Sequence, residues 1–146
     1  ERFDTISMNN LLEHVDEPIR LLENCKVHLT DKGRIIAMVP NAESIARQLG
    51  VAMGMIDGID NISDKERNVY GHKRTYTLDS LLSDAFVADL KVEKYGGLLY
   101  KPLPNEMLEI LCKQNGEKWA QQFISGLVKL GETRSRECAQ LYIVCQ

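Results

Sequence analysis

Residues 3–41, FDTISMNNLLEHVDEPIRLLENCKVHLTDKGRIIAMVPN, decide the fold of this 146-residue protein. Phe3–Met8 alternates apolar and polar side chains, which predicts a short strand. Residues 19–29 carry apolar side chains at the spacing of a helix face, and the apolar run Arg34–Val39 predicts a strand that is covered on both faces. A strand, a helix and a second strand joined by short links form a βαβ unit. This unit predicts two parallel neighbouring strands with a right-handed crossover.

Local signals set the expected ends of the helix. Asp16 stands at the N-cap position, and Pro18 follows in the first turn. Gly33 suits the left-handed residue that ends a helix. We therefore expect the helix to reach the turn at residues 31–33.

The remainder of the chain continues the alternation of helices and strands. A polar, irregular insertion is expected over Asp57–Tyr70, partly helical around Lys65–Asn68, and Thr77 is expected to cap the next helix. Gly96–Gly97 is expected to break or bulge a strand. The other expected helices are Ala42–Gly50, Thr77–Leu82, Asn105–Lys113 and Lys118–Leu130, the last with Trp119, Phe123, Ile124, Leu127 and Val128 as its buried stripe, and the expected strands are Leu90–Tyr95 and Ala139–Cys145.

Composition argues against several classes of protein. The chain carries 18 basic and 21 acidic side chains, so it lacks the basic excess typical of nucleic-acid-binding domains. No apolar run approaches the roughly 20 residues of a membrane helix, and no secretory leader is visible. The four cysteines form no C-x-x-C pair and are expected to be buried and reduced, as in a cytoplasmic protein. We expect neither a nucleic acid nor a membrane as partner.

Polar side chains follow the first predicted strand. In open α/β sheets, ligands bind beyond the carboxyl ends of the strands. Here the sequence NNLLEHV at residues 9–15 places two amides, a carboxylate and an imidazole at such an end. The same residues also suit a turn that satisfies its own backbone groups. The pattern alone leaves both interpretations open.

Residues 3–41, together with GHKRTYTLDSLL at residues 71–82, resemble the class I S-adenosylmethionine-dependent methyltransferases over almost the whole chain. In that family a fourth strand ends in an LEHV-like loop, and the fifth strand often ends in VPN. The glycine-rich cofactor loop of the family's first half has no counterpart here. The resemblance therefore implies the carboxyl-terminal half of a Rossmann-like α/β domain, a single partial domain over residues 1–146. It also implies a mixed sheet in which Ala139–Cys145 lies antiparallel beside the second strand, with Leu90–Tyr95 beyond it.

The function that the resemblance implies is methyl transfer from S-adenosylmethionine to an oxygen or nitrogen atom of a small substrate, with a lean toward saccharides. The complete parent would carry this activity, and the chain alone is expected to be inactive. An alternative from another class is a non-catalytic half-domain that serves interaction or dimerisation. In the family, the first strand would lie beside Phe3–Met8, so this edge is expected to be bare and to support a homodimer.

The resemblance also implies roles for the polar loop. Asn9, Asn10 and Leu11 are the expected wall beneath the methionine part of the cofactor. His14 is the expected catalytic residue, because a neutral imidazole can accept the proton of a hydroxyl nucleophile. A structural role for His14 at the approach to the helix is equally open.

The segment at residues 72–76 is a compact basic and aromatic group. His72, Arg74 and Tyr76 are the expected substrate-binding residues, since a guanidinium pairs well with a carboxylate or phosphate. A solvated turn before the Thr77 helix is the open alternative.

A metal site is not expected. Glu13 and His14, with His72 further on, are similar to an E-x-x-E-H pattern through which some relatives bind a divalent cation. Asn10 stands here in place of the first glutamate, so the ligand set is incomplete by that standard.

Overall fold

The protein is described by a computed structural model that covers residues 1–146, apart from the side chain of Lys65. It is the expected α/β unit. Its elements in chain order are β1 (Phe3–Asn9), α1 (Pro18–Lys26), β2 (Leu29–Pro40), α2 (Ile45–Ala52), α3 (Asp64–Asn68), α4 (Leu78–Val87), β3 (Val92–Leu98), α5 (Asn105–Asn115), α6 (Glu117–Thr133), a 3-10 turn (Ser135–Glu137) and β4 (Gln140–Cys145).

The strands form one mixed sheet in the order β1-β2-β4-β3. β1 is parallel to β2, and β4 is antiparallel to both β2 and β3. The predicted topology is therefore confirmed, including the position of the terminal strand. Because β1 and β2 are parallel, their carboxyl ends reach the same edge of the sheet, which we call the carboxyl edge.

One face of the sheet carries the main hydrophobic core. Alternate residues of β2 and β4 are buried on this face, and Ala37 pairs there with Ile143. Helices α1 and α4 cover the face with side chains such as Leu22 and Leu81, both fully buried. The expectation that β2 is buried on both faces is wrong, because its burial alternates and Ile36 on the other face is only half-buried.

Helix α1 is shorter than expected. Glu17 occupies the N-cap position in place of Asp16, Pro18 is the first helical residue, and the helix ends at Lys26. The apolar residues beyond Lys26 continue the helical spacing in the sequence, but Val27 is 68% exposed and contributes no buried helix face.

Strand β2 begins earlier than expected, because Leu29 already pairs with Phe3 of β1. Gly33 lies inside this strand and is not a helix cap. A Cβ atom at Gly33 would come within 2.7 Å of the Phe3 carbonyl oxygen, so glycine permits the close approach of β1.

The capped helix after the insertion is confirmed. The Thr77 hydroxyl accepts a hydrogen bond from the Ser80 backbone N–H at 3.1 Å, and the Thr77 N–H donates to the Ser80 hydroxyl at 3.0 Å. This reciprocal capping box fixes the start of α4.

Strand β3 does not break at Gly96–Gly97, contrary to expectation. Its register shift lies instead between Val92 and Lys94. Gly97 is needed for packing, since a Cβ atom there would lie 1.9 Å from the Ser135 carbonyl oxygen.

Helix α6 packs against α5 and β3, and its Leu127 forms a second, smaller core with Tyr100 and Cys138. The predicted buried stripe of α6 is only partly right, because Ile124 and Val128 are 41% and 52% exposed. Among the described residues, no helix has both the length and the apolarity needed to cross a bilayer.

Candidate functional site

The candidate site lies at the carboxyl edge, where the loop after β1 meets the segment before α4. The Lys73 backbone N–H donates to the Glu13 carbonyl oxygen at 2.8 Å, which joins the two segments. Leu12 anchors the loop because its side chain is fully buried in the main core. The βαβ arrangement thus brings residues 10–14 and 71–74 together, although about 60 residues separate them in sequence.

Glu13 is the most unusual side chain of the site. Its carboxylate is 1% exposed, and neither oxygen has a hydrogen-bond partner among the described residues. Burial raises the pKa of Glu13 because it disfavours the charged form, and the residue's own backbone N–H and then the nearby His14 oppose this shift. A buried carboxylate without partners is costly, which marks the position as one with a role other than packing.

His14 has one ring nitrogen engaged and one open. Nδ1 lies 3.2 Å from the Gly71 carbonyl oxygen. A carbonyl can only accept, so Nδ1 carries the proton and donates it in this contact. In the neutral ring, Nε2 therefore bears the lone pair, and it lies 3.7 Å from Glu13 Oε1, beyond hydrogen-bond distance.

His72 contacts His14 directly. Their ring centroids are 4.9 Å apart in an edge-to-face arrangement. Burial lowers the pKa of His72, and the neighbouring His14 and Arg47 act in the same direction. The cluster of Glu13, His14 and His72 brings one potential ligand atom of each residue within 4.8 Å of the others.

A half-buried ion pair holds the His72 segment in place. Arg47 of α2 donates to Glu66 of α3 at 2.5 Å and also donates to the carbonyl oxygens of Ile59 and Asn61. The His72 backbone N–H donates in turn to the Glu66 carbonyl oxygen at 2.9 Å. Sequence analysis missed Arg47 and Glu66, because a charged pair 19 residues apart carries no local pattern.

The pKa of Glu66 reflects this environment. Burial alone would raise it, but hydrogen bonds from Ser63 and the charge of Arg47 lower it overall. Glu66 is thus held as a carboxylate and balances Arg47, whereas the Glu13 carboxylate has no hydrogen-bond partner among the described residues.

A small cavity of about 30 Å³ adjoins the cluster and is lined by Glu13, Arg47, Glu66, His72 and Arg74, with Pro40, Asn41, Ala42 and Thr75 completing its wall. A volume of this size admits a water molecule or a single ion. The site therefore combines two guanidinium groups, two carboxylates and an imidazole around one small cavity.

Arg74 is largely committed to the backbone. Its guanidinium donates to the carbonyl oxygens of Val15 and Asp16 at 2.8 and 3.0 Å. Its Nε atom is buried without a partner among the described residues. Arg74 thus lines the cavity while its hydrogen bonds go to the backbone.

Tyr76 is not brought to the cluster. Its ring is 2% exposed, and its hydroxyl donates to Asp84 at 2.8 Å. Burial and this carboxylate raise the pKa of Tyr76. The residue packs α4 against the core and presents no surface at the cavity.

The predicted cofactor wall lies in solvent at the start of the loop. Asn9 accepts a hydrogen bond from Ser7, and Asn10 accepts one from Gln140 at 3.1 Å. Asn10 adopts a left-handed backbone with φ 50°, and Leu11 is 39% exposed. These residues form an accessible surface at the carboxyl edge, separate from the buried Glu13.

Asn41 ties the end of β2 to the segment before β4. Its buried side-chain N–H groups donate to the carbonyl oxygens of Arg136 and Cys138 at 2.8 and 2.7 Å. Its side-chain oxygen accepts from the Glu43 N–H at 2.9 Å. This amide was not singled out by sequence analysis, since PN after a strand indicates only a turn.

The methyltransferase domain family has a model that matches residues 1–95, from β1 into β3. The chain belongs to this family. The match includes both segments that form the carboxyl edge and the whole insertion between them, which confirms the family resemblance. No curated protein matches the sequence.

Solved structures agree on the fold of this methyltransferase domain. An S-adenosylmethionine-dependent methyltransferase from Mesorhizobium loti has a TM-score of 0.58 at 13% identity, over 99% of this chain and 61% of its own. A second one, from Archaeoglobus fulgidus, has a TM-score of 0.52 at 13% identity, over 99% and 59%.

A third similar structure is the plantazolicin methyltransferase BamL in complex with a triazolic desmethylPZN analogue and SAH. Its TM-score is 0.53 at 12% identity, over 99% of this chain and 53% of its own. The chain therefore spans between about half and three fifths of the length of these structures.

Proposed function

We propose that this methyltransferase domain transfers a methyl group from S-adenosylmethionine to an oxygen or nitrogen atom of a small, saccharide-type acceptor. The family match over residues 1–95 and the S-adenosylmethionine-dependent activity named for similar structures support this reaction. The reaction is an in-line displacement at an electrophilic methyl carbon. It needs the two reactants to be positioned and a proton to be removed from the acceptor.

Within this proposal, the exposed loop Asn9–Leu11 forms part of the cofactor wall, and His14 acts on the acceptor. The hydrogen bond from His14 Nδ1 to the Gly71 carbonyl oxygen supports the role of His14 as a base, because it leaves the lone pair of Nε2 free to accept a proton. His14 is 33% exposed, so an acceptor hydroxyl can reach it. His72 and Arg74 complete the acceptor side, and Tyr76 supports it from the core.

The test compares His14→Ala with a matched histidine variant in the longer protein that supplies a cofactor loop. We expect His14→Ala to lower turnover about 100-fold while cofactor affinity changes little. His28→Ala is the control, because His28 is exposed and lies outside the candidate site, with its Nδ1 atom 3.1 Å from the Glu1 carbonyl oxygen. Unchanged turnover in His14→Ala would make His14 a structural residue.

We also propose that the chain of 146 residues does not by itself bind S-adenosylmethionine tightly. Its sequence contains no glycine-rich loop whose backbone could approach the cofactor closely. Calorimetric titration of the chain is expected to give no saturable binding. A dissociation constant in the low micromolar range would overturn this proposal.

A second proposal is that the chain associates into a homodimer through β1. β1 lies at one end of the strand order, and Phe3 is 44% exposed. Neither a proline nor a lysine blunts this edge. Light scattering should show a dimer. Thr5→Lys in β1 should dissociate it, whereas the control Ser125→Lys, at an exposed position of α6, should leave it intact. A monomer at high protein concentration would contradict the proposal.

We further propose a cytoplasmic location. The four cysteines are free thiols, and Cys138 and Cys145 are fully buried, which suits a reducing compartment.

A further inference from the structure

We propose that Glu13, His14 and His72 bind a divalent first-row transition-metal ion. The three residues come from two segments that the fold joins at the carboxyl edge, and the ligand atoms lie within 4.8 Å of one another. The sequence alone favours no metal site, because Asn10 replaces a glutamate. The proximity of the three remaining potential ligands in the structure favours a metal site instead.

The first support is the unpartnered carboxylate. Glu13 is 1% exposed, and both of its oxygens lack a hydrogen-bond partner among the described residues. Buried carboxylates in proteins are paired, hydrogen-bonded or bound to a metal. Arg47 lines the adjoining cavity, but its positive charge is paired with Glu66. It therefore does not neutralise the charge of Glu13.

The second support is the orientation of His14. A metal-binding histidine usually donates its other ring N–H to a backbone carbonyl or a carboxylate, which fixes the tautomer and the ring plane. The contact between His14 Nδ1 and the Gly71 carbonyl oxygen, at 3.2 Å, is such an arrangement. It turns Nε2 and its lone pair toward Glu13.

The third support is the distance between the ligand atoms. Two ligand atoms about 2.1 Å from one ion at a tetrahedral angle are roughly 3.4 Å apart. His14 Nε2 and Glu13 Oε1 are separated by 3.7 Å, which is too long for a hydrogen bond and close to this spacing. The His72 ring, which contacts the rings of His14 and Tyr70, brings the third ligand atom within 4.8 Å of the other two.

The donor set selects the kind of ion. Two imidazoles and one carboxylate suit Mn²⁺, Co²⁺ or Zn²⁺, whereas Mg²⁺ prefers oxygen ligands and retains its waters. Arg74, the other cation beside the cavity, donates to the carbonyl oxygens of Val15 and Asp16, which draws its guanidinium toward the backbone. Three protein ligands leave positions for water or for an acceptor group.

This proposal does not depend on methyl transfer. An ion on Nε2 would occupy the lone pair that the proposed base uses, so the ion-bound protein and a proton-accepting His14 are alternative states. Metal binding is measured without S-adenosylmethionine, and its failure is therefore distinguishable from failure of the proposed reaction.

The experiment is a titration of the chelator-treated protein with Co²⁺, followed by its visible absorption, and with Zn²⁺ by calorimetry. We expect one equivalent to bind. Glu13→Gln, His14→Gln and His72→Gln should each weaken the affinity about 10-fold or more, and His28→Gln should leave it unchanged. Mg²⁺ at the same concentration should not displace Co²⁺.

The proposal fails if the unmodified protein binds no Co²⁺, if the ligand variants bind as it does, or if His28→Gln loses as much affinity as they do. Displacement by equimolar Mg²⁺ would also overturn it. Circular dichroism checks the fold of each variant. If one does not fold, nuclear magnetic resonance of the unmodified protein decides: Mn²⁺ should broaden the ring signals of His14 and His72 before those of His28, and the reverse order would contradict the site.

Discussion

The carboxyl edge and the α5–α6 end of the molecule depart from ideal packing in opposite ways. At the carboxyl edge, the Glu13 carboxylate and Arg74 Nε are buried without partners among the described residues. At the α5–α6 end, apolar side chains lie in solvent instead, with Met107, Ile110 and Val128 each more than half exposed. A buried polar group lowers stability, whereas an exposed apolar group only forgoes a gain. The carboxyl edge therefore contains polar groups that lower stability, and the α5–α6 end contains apolar side chains that little protein covers.

The largest effect is expected at the tight contact between β3 and the 3-10 turn, beside α6. Gly97→Ala places a Cβ atom 1.9 Å from the Ser135 carbonyl oxygen. We expect the free energy of unfolding to fall by about 3 kcal/mol or more, measured by urea denaturation. Gly126→Ala is the control, since nothing lies within 4 Å of that position in α6, and it should raise stability by about 0.5–1 kcal/mol. A loss below about 1 kcal/mol for Gly97→Ala would mean that this end is looser than described.

The next effect measures the main core. Leu81→Ala removes a fully buried side chain from α4 and should lower the free energy of unfolding by about 2–5 kcal/mol. Phe86→Ala in the same helix, at 81% exposure, should change it by less than about 0.5 kcal/mol. Equal effects of the two variants would refute the assignment of the core to one face of the sheet.

The smallest effect tests the carboxyl edge directly. Burial raises the pKa of Glu13, so its contribution to stability is fully present below its unfolded-state pKa and is lost as the pH rises through the folded-state pKa. Glu13→Gln should therefore raise stability at neutral pH by about 1 kcal/mol in the presence of chelator, and the gain should shrink toward acidic pH. Thermal and urea unfolding across pH measure it, with exposed Glu23→Gln as the control. A constant gain at all pH values, or a loss at neutral pH, would contradict an uncompensated Glu13 charge.

The sequence predicted those parts of the fold that rest on strand patterns and capping chemistry. The parallel pair of strands was predictable because apolar side chains alternate over Phe3–Met8 and cluster over residues 34–39. The cap at Thr77 was also predicted correctly. The boundary of α1 was wrong because Leu29 fits both a helical spacing and the start of a strand. Only its pairing with Phe3 decides between them.

The site was predictable only where it follows a strand. His14 and its neighbours were singled out because ligands bind beyond the carboxyl ends of strands, and the family resemblance suggested their roles. Their contact with residues 71–74 depends on tertiary packing that no local pattern encodes. Arg47 and Glu66 were missed for the same reason. Tyr76 was expected to bind substrate, but Asp84 and the core enclose it.

The two hydrogen bonds donated by the Asn41 side chain couple local unfolding of the carboxyl edge to local unfolding of the α5–α6 end. Local unfolding of the segment that carries Arg136 and Cys138 removes both acceptors of a buried amide at the end of β2. That loss penalises any partial opening in which the α6 end detaches while the carboxyl edge stays closed. Amide hydrogens of Asn41 and of residues around Cys138 are accordingly expected to exchange with solvent at a common free energy.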